Sequence, residues 1–273
     1  MPLEPTTAAG RAGLAAVLAD PTGALLALDF DGTLAPIVAD PSQARAHPGA
    51  VDALAALAGR LGHLAVVTGR PAAVAARYAG LAGRRDLGDV EVLGQYGLER
   101  WDAETGQVTA PPASPAVAHV REQLGSVLAG AGAADAHVED KGAAVAVHTR
   151  RMADPVAAFE RLRGPLDALA REHGLHLEPG RFVLELRPRG VDKGGALRSL
   201  VQRCAARSVM FAGDDLGDLA AYDEVDRLRH QGLPGLLVCS SSTEQTALAD
   251  RADLVVDGPA GVVGLLRDLA AAL

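Results

Sequence analysis

Residues 23–34, GALLALDFDGTL, decide the fold of this chain. The first six residues are apolar without a polar alternation, a pattern typical of a strand buried on both faces of a parallel sheet. Asp29 and Asp31 follow this strand and are separated by one residue. Because open parallel sheets bind ligands beyond the carboxyl ends of their strands, the two aspartates mark the predicted functional site.

An alternation of strands and helices surrounds this stretch. Helices are predicted at 51–61 and 71–79, between apolar strands at 23–30, 63–67 and 90–93. This order predicts an α/β fold with a Rossmann-like parallel sheet and right-handed crossovers. The same pattern returns near the end of the chain, with a helix at 193–206 and strands at 209–212, 236–239 and 254–256.

The middle of the chain has a different pattern. It begins with the proline-rich stretch TAPPASP at 109–115, which interrupts regular structure. A helix capped by Ser114, a helix at 155–173 and two strands at 143–148 and 181–186 are predicted to follow, the second helix kinked at Gly164-Pro165. We therefore predict an inserted α+β cap domain at 108–187 within a core domain formed by 1–107 and 188–273.

Composition excludes several classes of protein. At roughly 150 residues per domain, 273 residues suggest about two domains, and a hydrophobic fraction of 49% supports a large core. The net charge of −8, with four Phe, three Tyr and one Trp, argues against nucleic-acid binding. The sequence lacks an apolar run of about 18 residues, so no membrane span is expected.

The cysteine content and the N-terminal sequence suggest a location. Cys204 and Cys239 are the two cysteines, and the first residues do not resemble a signal peptide. Together these features predict a reducing, cytoplasmic environment, with the thiols serving as small buried hydrophobes. We expect a monomer.

Polar residues cluster at four predicted strand ends or helix starts. A lone aspartate after a strand is usually a cap. Five carboxylates gathered at one sheet edge repel one another unless a cation joins them, and this applies to Asp29, Asp31, Asp214, Asp215 and Asp218. Oxygen ligands with open positions favour Mg²⁺, with Asp29 as nucleophile and Asp31 as general acid–base. The residues concerned are Asp29, Asp31, Thr68-Gly69-Arg70, Asp192-Lys193-Gly194, and Asp214, Asp215 and Asp218 within Gly213–Asp218.

The two lysines deserve separate consideration, because the remaining 24 of the 26 basic residues are arginines. Lys193 falls in the first turn of a predicted helix, where a cation opposes the helix dipole. Charge neutralisation beside a carboxylate nucleophile and a phosphate explains that position better than helix stability does. Chance survival of either lysine remains the alternative. Thr68 offers a hydroxyl and Gly69 an amide to a phosphate, although a simple turn also explains them.

These motifs, in this order, resemble those of the haloacid dehalogenase superfamily of phosphatases. The finer resemblance is to the trehalose-6-phosphate phosphatase family, carried by Val138–Lys141, Val147–Arg150, Leu184–Pro188 and Gly213–Asp218. The resemblance implies that Asp29, Asp31 and Asp214 hold Mg²⁺, with Asp215 and Asp218 behind them. It also implies sugar contacts from the cap residues Glu139, Lys141 and Glu185. Two positions depart from it, since many members have His where Tyr96 stands and Thr where Gly217 stands.

The cap residues fit a sugar on chemical grounds as well. Glu139 and Lys141 share parity in an extended segment, and Glu185 faces away from Leu184 and Leu186. Carboxylates and an ammonium on one rim suit a polyhydroxylated ligand, whereas a solvated charged face is the alternative. Arg70 either binds substrate or orients its loop, and His148 and Arg150 have structural roles at least as well supported as functional ones.

The expected function is Mg²⁺-dependent hydrolysis of trehalose 6-phosphate, a small-molecule sugar phosphate, through an aspartyl-phosphate intermediate. Another sugar phosphate, such as sucrose phosphate or mannosyl-phosphoglycerate, is the first alternative. A phosphomutase, in which the phosphoryl group passes to a sugar, and an inactive regulatory domain are the others. The intact set Asp29, Asp31, Lys193 and Asp214 argues against inactivity.

Overall fold

The computed structural model describes residues 3–112, 114–180, 182–241 and 247–273. The chain forms two compact units, which we call the core unit (Met1–Ala110 with Asp192–Leu273) and the inserted unit (Pro111–Val191). Within the described residues, no helix is both long enough and apolar enough to cross a membrane.

Twelve strands and eight α-helices occur in the part of the chain that the structure describes. The strands are β1 (Ala24–Leu28), β2 (His63–Val67), β3 (Glu91–Gly94), β4 (Glu99–Asp102), β5 (Val108–Thr109), β6 (His137–Asp140), β7 (Val145–His148), β8 (Leu175–Gly180), β9 (Val183–Pro188), β10 (Ser208–Gly213), β11 (Gly235–Ser241) and β12 (Leu254–Asp257). The helices are α1 (Ala8–Ala19), α2 (Ala50–Leu57), α3 (Ala72–Tyr78), α4 (Pro115–Gly130), α5 (Pro155–Glu172), α6 (Lys193–Cys204), α7 (Leu219–His230) and α8 (Gly258–Ala272).

The core unit is built on one eight-stranded sheet in the order β12-β11-β10-β1-β2-β3-β4-β5. The first six strands of that order run parallel, which confirms the predicted α/β sheet. β1 lies at the centre between β10 and β2, with Leu28 in register with Ala212. The loops that follow β1 and β10 therefore emerge side by side at the carboxyl edge of the sheet.

Both faces of β1 are buried, as its unbroken apolar sequence predicts. Leu26 and Leu28 pack into one hydrophobic cluster with α1, α2, α3 and α8. Leu25 and Ala27 point to the opposite cluster, which is formed with α6 and α7. Because helices cover both faces, polar groups of this region become accessible at the ends of the strands.

Some elements lack a clear sequence signal. β4 contains Glu99, Arg100 and Asp102, so it shows no apolar run, yet it pairs antiparallel with β3 and Arg100 lies 2.6 Å from Glu91. Helix α1 was not expected either; Thr7 caps it by accepting a hydrogen bond from the Gly10 amide. The helix predicted at 155–173 is found as α5, which runs unbroken from Pro155 to Glu172 with Pro165 inside it; the kink predicted at Gly164-Pro165 stays a prediction.

The inserted unit is a four-stranded antiparallel sheet in the order β6-β7-β9-β8, with α4 and α5 on one face. Val145, Val147, Leu184 and Leu186 face these helices and form the core of the unit. Residues of opposite parity, such as Glu185, lie on the other face of the sheet. The limits and roles predicted for a cap at 108–187 remain predictions.

Candidate active site

The loop after β1 places Asp29 in a buried position, with 4% of the residue exposed. Its amide donates a hydrogen bond to Ala212 O of β10 at 2.9 Å. Gly32 turns the chain with a φ of +80°, and a Cβ atom there would lie 1.9 Å from Oδ2 of Asp214. Only glycine permits both this conformation and this approach, so Gly32 allows the loops after β1 and β10 to meet.

Lys193 connects these two loops through its ammonium group. It is the first residue of α6, whose N-terminus is capped by Asp192 accepting from the Gly195 amide. Nζ lies 2.6 Å from Asp29 Oδ1 and donates to Asp218 Oδ1 at 2.7 Å. Two buried carboxylates therefore stabilise a cation at a helix position that opposes the helix dipole.

Asp218 anchors the loop after β10. Its side chain is fully buried and accepts hydrogen bonds from the amides of Asp214 and Asp215 through Oδ2. Asp215 accepts from the Gly217 amide in return, which completes a capping box. Because both oxygens of Asp218 have protein donors, this residue orients Lys193 and the Asp214 backbone.

The carboxylates of Asp29, Asp214 and Asp218 form a group that could hold a metal ion, with ligand atoms within 4.8 Å of one another. Asp214 Oδ1 is buried and has no hydrogen-bond partner in the described residues. An unsatisfied, buried carboxylate oxygen is costly unless a cation or donor reaches it. The donor set consists of hard oxygens, so the residues present fit Mg²⁺.

The pKa shifts in this group of carboxylates also indicate that it has too little positive charge around it. Burial raises the pKa of Asp29 well above its usual range; Lys193 opposes this shift, while Asp218 and Asp214 add to it. Burial, followed by repulsion from Asp218 and Asp215, raises the pKa of Asp214 to about 7. Although burial disfavours the charged form of Lys193, Asp218 and Asp29 outweigh it, so the pKa of Lys193 lies above its ordinary value. Lys193 alone does not balance the surrounding carboxylates.

Asp31, which the sequence predicts as a metal ligand, is not part of this group of three carboxylates; its side chain forms an ion pair with Arg70. Nε of Arg70 donates to Oδ2 of Asp31 and Nη2 donates to Oδ1, both at 2.6 Å. Nη1 of Arg70 donates to Pro41 O, and the guanidinium lies over the rings of Phe30 and Tyr78. These contacts favour the interpretation that Arg70 orients its surroundings over direct binding of substrate.

Thr68 and Gly69 follow β2 at the same edge of the sheet. Thr68 is buried; its amide donates to Leu93 O, and its Oγ1 accepts from the Arg70 amide at 3.2 Å. The phenol end of Tyr96 packs against Gly69. From the sequence, Tyr96 stands where many family members have a His that the resemblance places near the sugar; its contact with Gly69 carries no signal in the linear sequence.

The cap residues singled out by sequence lie on the inserted sheet in two pairs. Nζ of Lys141 donates to Oε2 of Glu185 at 2.5 Å. Oε2 of Glu139 lies 2.8 Å from Nε2 of His148, and this hydrogen bond lowers the pKa of Glu139. The face therefore offers carboxylate and ammonium groups that are already oriented by partners within the unit.

Comparison with known proteins shows which family this chain resembles. A profile of the trehalose-phosphatase family matches residues 27–257, which include both strand-end aspartate loops and the inserted unit. This chain belongs to the trehalose-phosphatase family. The sequence-based resemblance is thereby confirmed.

Curated relatives support the same membership. The trehalose-phosphate phosphatase of Mycobacterium marinum is 32% identical over 262 residues, covering 90% of this chain and 61% of the relative. That of Mycobacterium leprae is 31% identical over 263 residues, covering 89% of this chain and 56% of the relative. The chain thus spans about three fifths of the length of these relatives.

Solved structures show the same fold at lower sequence identity. The C-terminal domain of Candida albicans trehalose-6-phosphate phosphatase is 20% identical, with a TM-score of 0.75 and 98% of both chains covered. Aspergillus fumigatus trehalose-6-phosphate phosphatase is 23% identical, with a TM-score of 0.67, covering 99% of this chain and 100% of that chain. A haloacid dehalogenase-like hydrolase from Bacteroides thetaiotaomicron shares the fold at 16% identity and a TM-score of 0.66, covering 89% and 98%.

Proposed function

We propose that this protein hydrolyses trehalose 6-phosphate to trehalose and inorganic phosphate. The observation that carries the proposal is the buried carboxylate of Asp29, paired with Lys193 and grouped with Asp214, whose Oδ1 is buried and unsatisfied, in a member of the trehalose-phosphatase family. The names of the mycobacterial relatives support a trehalose phosphate as the substrate, and the chemistry of the core residues supports phosphoryl transfer.

Asp29 is the proposed nucleophile. One of its oxygens attacks phosphorus, the bond from phosphorus to the sugar oxygen breaks, and the phosphoryl group becomes an acyl phosphate on Asp29. Asp31 donates a proton to the departing sugar oxygen, which leaves as a hydroxyl group. Asp31 then takes a proton from water as that water attacks the acyl phosphate, and phosphate and Asp29 are released.

The phosphoryl group needs donors on its other oxygens. Lys193 supplies a cation beside Asp29, where negative charge accumulates during transfer. We propose that the Thr68 hydroxyl and the Gly69 amide donate to the remaining oxygens, since both follow β2, the strand next to β1. Arg70 contributes by holding the carboxylate of Asp31 through two hydrogen bonds.

Mg²⁺ is the proposed metal, and when bound it would neutralise phosphate charge. Asp29 and Asp214 would hold it, with Asp31 as the third proposed ligand. Asp215 and Asp218 are proposed to support the ligands from behind, consistent with the hydrogen bonds from the loop amides to Asp218. The unsatisfied oxygen of Asp214 is the structural feature that best supports this assignment.

Sugar selection is assigned to the inserted unit. We propose that Glu139, Lys141 and Glu185 bind sugar hydroxyls, because carboxylates accept and an ammonium donates hydrogen bonds. The ion pair of Lys141 with Glu185 and the pair of Glu139 with His148 hold these groups in defined orientations. This arrangement separates recognition of the sugar from the chemistry at Asp29.

A sugar-phosphate panel tests the function directly. Purified protein is incubated with trehalose 6-phosphate, sucrose phosphate, mannosyl-phosphoglycerate and p-nitrophenyl phosphate, with Mg²⁺ and with EDTA, and free phosphate is measured. We expect Mg²⁺-dependent release with trehalose 6-phosphate as the best substrate. Preference for another sugar phosphate would redirect the assignment to that substrate. Transfer of phosphate to an added sugar without release would indicate a phosphomutase, and inertness toward every ester would indicate a regulatory domain.

A further inference from the structure

Tyr96 occupies an unusual backbone position next to the proposed phosphate-binding loop. Gln95 and Tyr96 have φ angles of 48° and 58°, and Gly97 follows with 95°. Left-handed backbone is unfavourable for residues with a side chain, and it persists where surrounding contacts impose it, often at functional sites. Two consecutive non-glycine residues therefore hold a strained turn directly after β3.

This turn is bonded to the loop formed by Thr68, Gly69 and Arg70. The Tyr96 amide donates to Thr68 O at 2.9 Å, and the Gln95 amide donates to Arg70 O at 2.8 Å. The carbonyls on both sides of Gly69 are thus fixed by the strained turn. The direction of the Gly69 amide, one of the proposed phosphate donors, depends on this attachment.

The side chain of Tyr96 completes the attachment. A Cβ atom at position 69 would lie 2.7 Å from Oη and 2.8 Å from Cζ of Tyr96, and its third nearest neighbour would be Cε1 of the same ring. Gly69 does not have a left-handed φ. The tyrosine ring, and not the backbone conformation, is therefore what a side chain at position 69 would have to displace.

We propose that Tyr96 is a positioning residue for phosphate binding: its ring packs on the bare Cα of Gly69 and fixes the Thr68–Arg70 loop in an anion-accepting geometry. The inference rests on the proposed function, in which this loop binds the phosphoryl group. It assigns a role to a position where the family resemblance suggested only a substitution of His by Tyr. Gly69 and Tyr96 form a pair whose sizes are matched.

Inhibition by inorganic phosphate tests the role without involving the sugar. Tyr96→Ala is expected to raise the inhibition constant for inorganic phosphate and KM for p-nitrophenyl phosphate about tenfold, with kcat changed less than about threefold, because loop geometry rather than a reacting group is lost. Tyr96→Phe keeps the ring and should remain within about threefold of the wild type in all three quantities. Phe182→Ala, which removes an aromatic side chain from another left-handed position, is the matched control and should not move the inhibition constant.

The size match gives a second, independent readout. Gly69→Ala introduces the close contact with Tyr96 and should weaken phosphate inhibition by more than about tenfold. Tyr96→Ala in the Gly69→Ala background removes the contact, so the double variant should lose no more than the loss of about tenfold expected of Tyr96→Ala alone. Additive losses in the double variant, or an unchanged inhibition constant in Tyr96→Ala, would overturn the proposal. If Tyr96→Ala is unfolded by circular dichroism, Tyr96→Leu replaces it in both comparisons.

The outcome also separates this inference from the function on which it rests. A wild-type protein that cleaves p-nitrophenyl phosphate and is inhibited by phosphate, with Tyr96 variants that behave identically, would refute only the role of Tyr96. A wild-type protein that neither cleaves the ester nor responds to phosphate would refute the proposed function and this inference together.

Discussion

Nζ of Lys193 lies 2.6 Å from Oδ1 of Asp29, and both side chains are almost fully buried. The same ammonium is also bonded to Asp218, so a single cation is shared by a proposed nucleophile and a structural anchor. This sharing explains why a lysine, with its compact charge and three donors, suits the position better than the planar guanidinium of arginine. It also makes the protonation state of Asp29 dependent on Lys193.

Replacement of Lys193 by Met should therefore change the pH dependence as well as the rate. Lys193 is the group that opposes the effect of burial on Asp29, so its loss raises the pKa of Asp29 further. Because the nucleophile must be ionised, the acidic limb of kcat/KM should move to higher pH, and activity at pH 7 should fall by about 100-fold or more. The measurement is the pH–rate profile with p-nitrophenyl phosphate.

Arg198→Met provides the control for this substitution. Arg198 lies on the same helix, α6, with an exposed guanidinium paired to Glu224. Its removal should leave the profile in place. A Lys193→Met protein with an unshifted acidic limb would show that Lys193 does not govern the ionisation of the nucleophile.

Asp29→Asn should abolish turnover while preserving the fold. An amide has a similar volume but cannot form the acyl phosphate. Phosphate-labelled substrate should label the wild-type protein transiently, and the label should be absent in Asp29→Asn. Label recovered from a residue other than Asp29, by peptide mapping, would contradict the assignment.

Asp31→Asn should separate the two half-reactions. The water that attacks the acyl phosphate loses its base, so the phosphorylated enzyme should persist, and its formation should also slow for a poor leaving group such as a sugar. p-Nitrophenyl phosphate, whose leaving group needs little protonation, should phosphorylate the variant more readily. Rapid-quench measurement of the labelled enzyme tests this, and wild-type dephosphorylation would exclude Asp31 as the base.

The raised pKa of Asp214 predicts a pH dependence of stability that can be tested without measuring activity. In the metal-free fold its pKa is raised from 3.8 to about 7, so the folded state retains a proton that the unfolded chain releases. This contribution to stability is complete below about pH 4 and is lost as pH rises through about 7. In EDTA, the free energy of unfolding should therefore fall over this range more steeply for the wild type than for Asp214→Asn.

Mg²⁺ should reverse the loss, because a ligand that binds only the folded state stabilises it. Above pH 7 we expect the melting temperature of the wild type to rise with Mg²⁺ and that of Asp214→Asn to respond weakly. Asp223→Asn, an exposed carboxylate of the core unit, should respond to Mg²⁺ like the wild type. Equal Mg²⁺ responses in all three proteins would remove Asp214 from the metal site.

The features that the sequence predicted well are those with short-range signals. The apolar run before Asp29 indicated a doubly buried strand, and the structure places β1 at the centre of a parallel sheet. Strand β4 was not predicted, because its sequence is polar. It is stabilised by antiparallel pairing with β3 and by the contact of Arg100 with Glu91.

In the candidate site, too, some features could be predicted from the sequence and others could not. Its carboxylates could be identified because strand ends in a parallel sheet share one edge. The partners of those carboxylates could not, because the pairing of Arg70 with Asp31 spans 39 residues and depends on the loops after β1 and β2. The contact of Tyr96 with Gly69 likewise requires a left-handed turn that no local pattern predicts.

The last prediction concerns specificity, which the proposal assigns to Glu139, Lys141 and Glu185. If these residues bind the sugar, replacing each by Ala should lower kcat/KM for trehalose 6-phosphate by roughly tenfold to a hundredfold, since a lost polar contact in a desolvated site amounts to about 1–3 kcal/mol. p-Nitrophenyl phosphate has no sugar, so its hydrolysis should change little. The ratio of the two kcat/KM values is the quantity to measure.

The pairs within the inserted unit sharpen this test. Lys141 and Glu185 contact each other at 2.5 Å, so Lys141→Ala leaves a buried carboxylate without its ammonium partner and can destabilise the unit by itself. The double variant Lys141→Met/Glu185→Leu removes both charges, and should restore stability but not the preference for trehalose 6-phosphate. Recovery of that preference would make the pair a purely structural ion pair. Equal losses on both substrates would place these residues in support of the fold or of Asp29, and the assigned substrate would revert to an unspecified sugar phosphate.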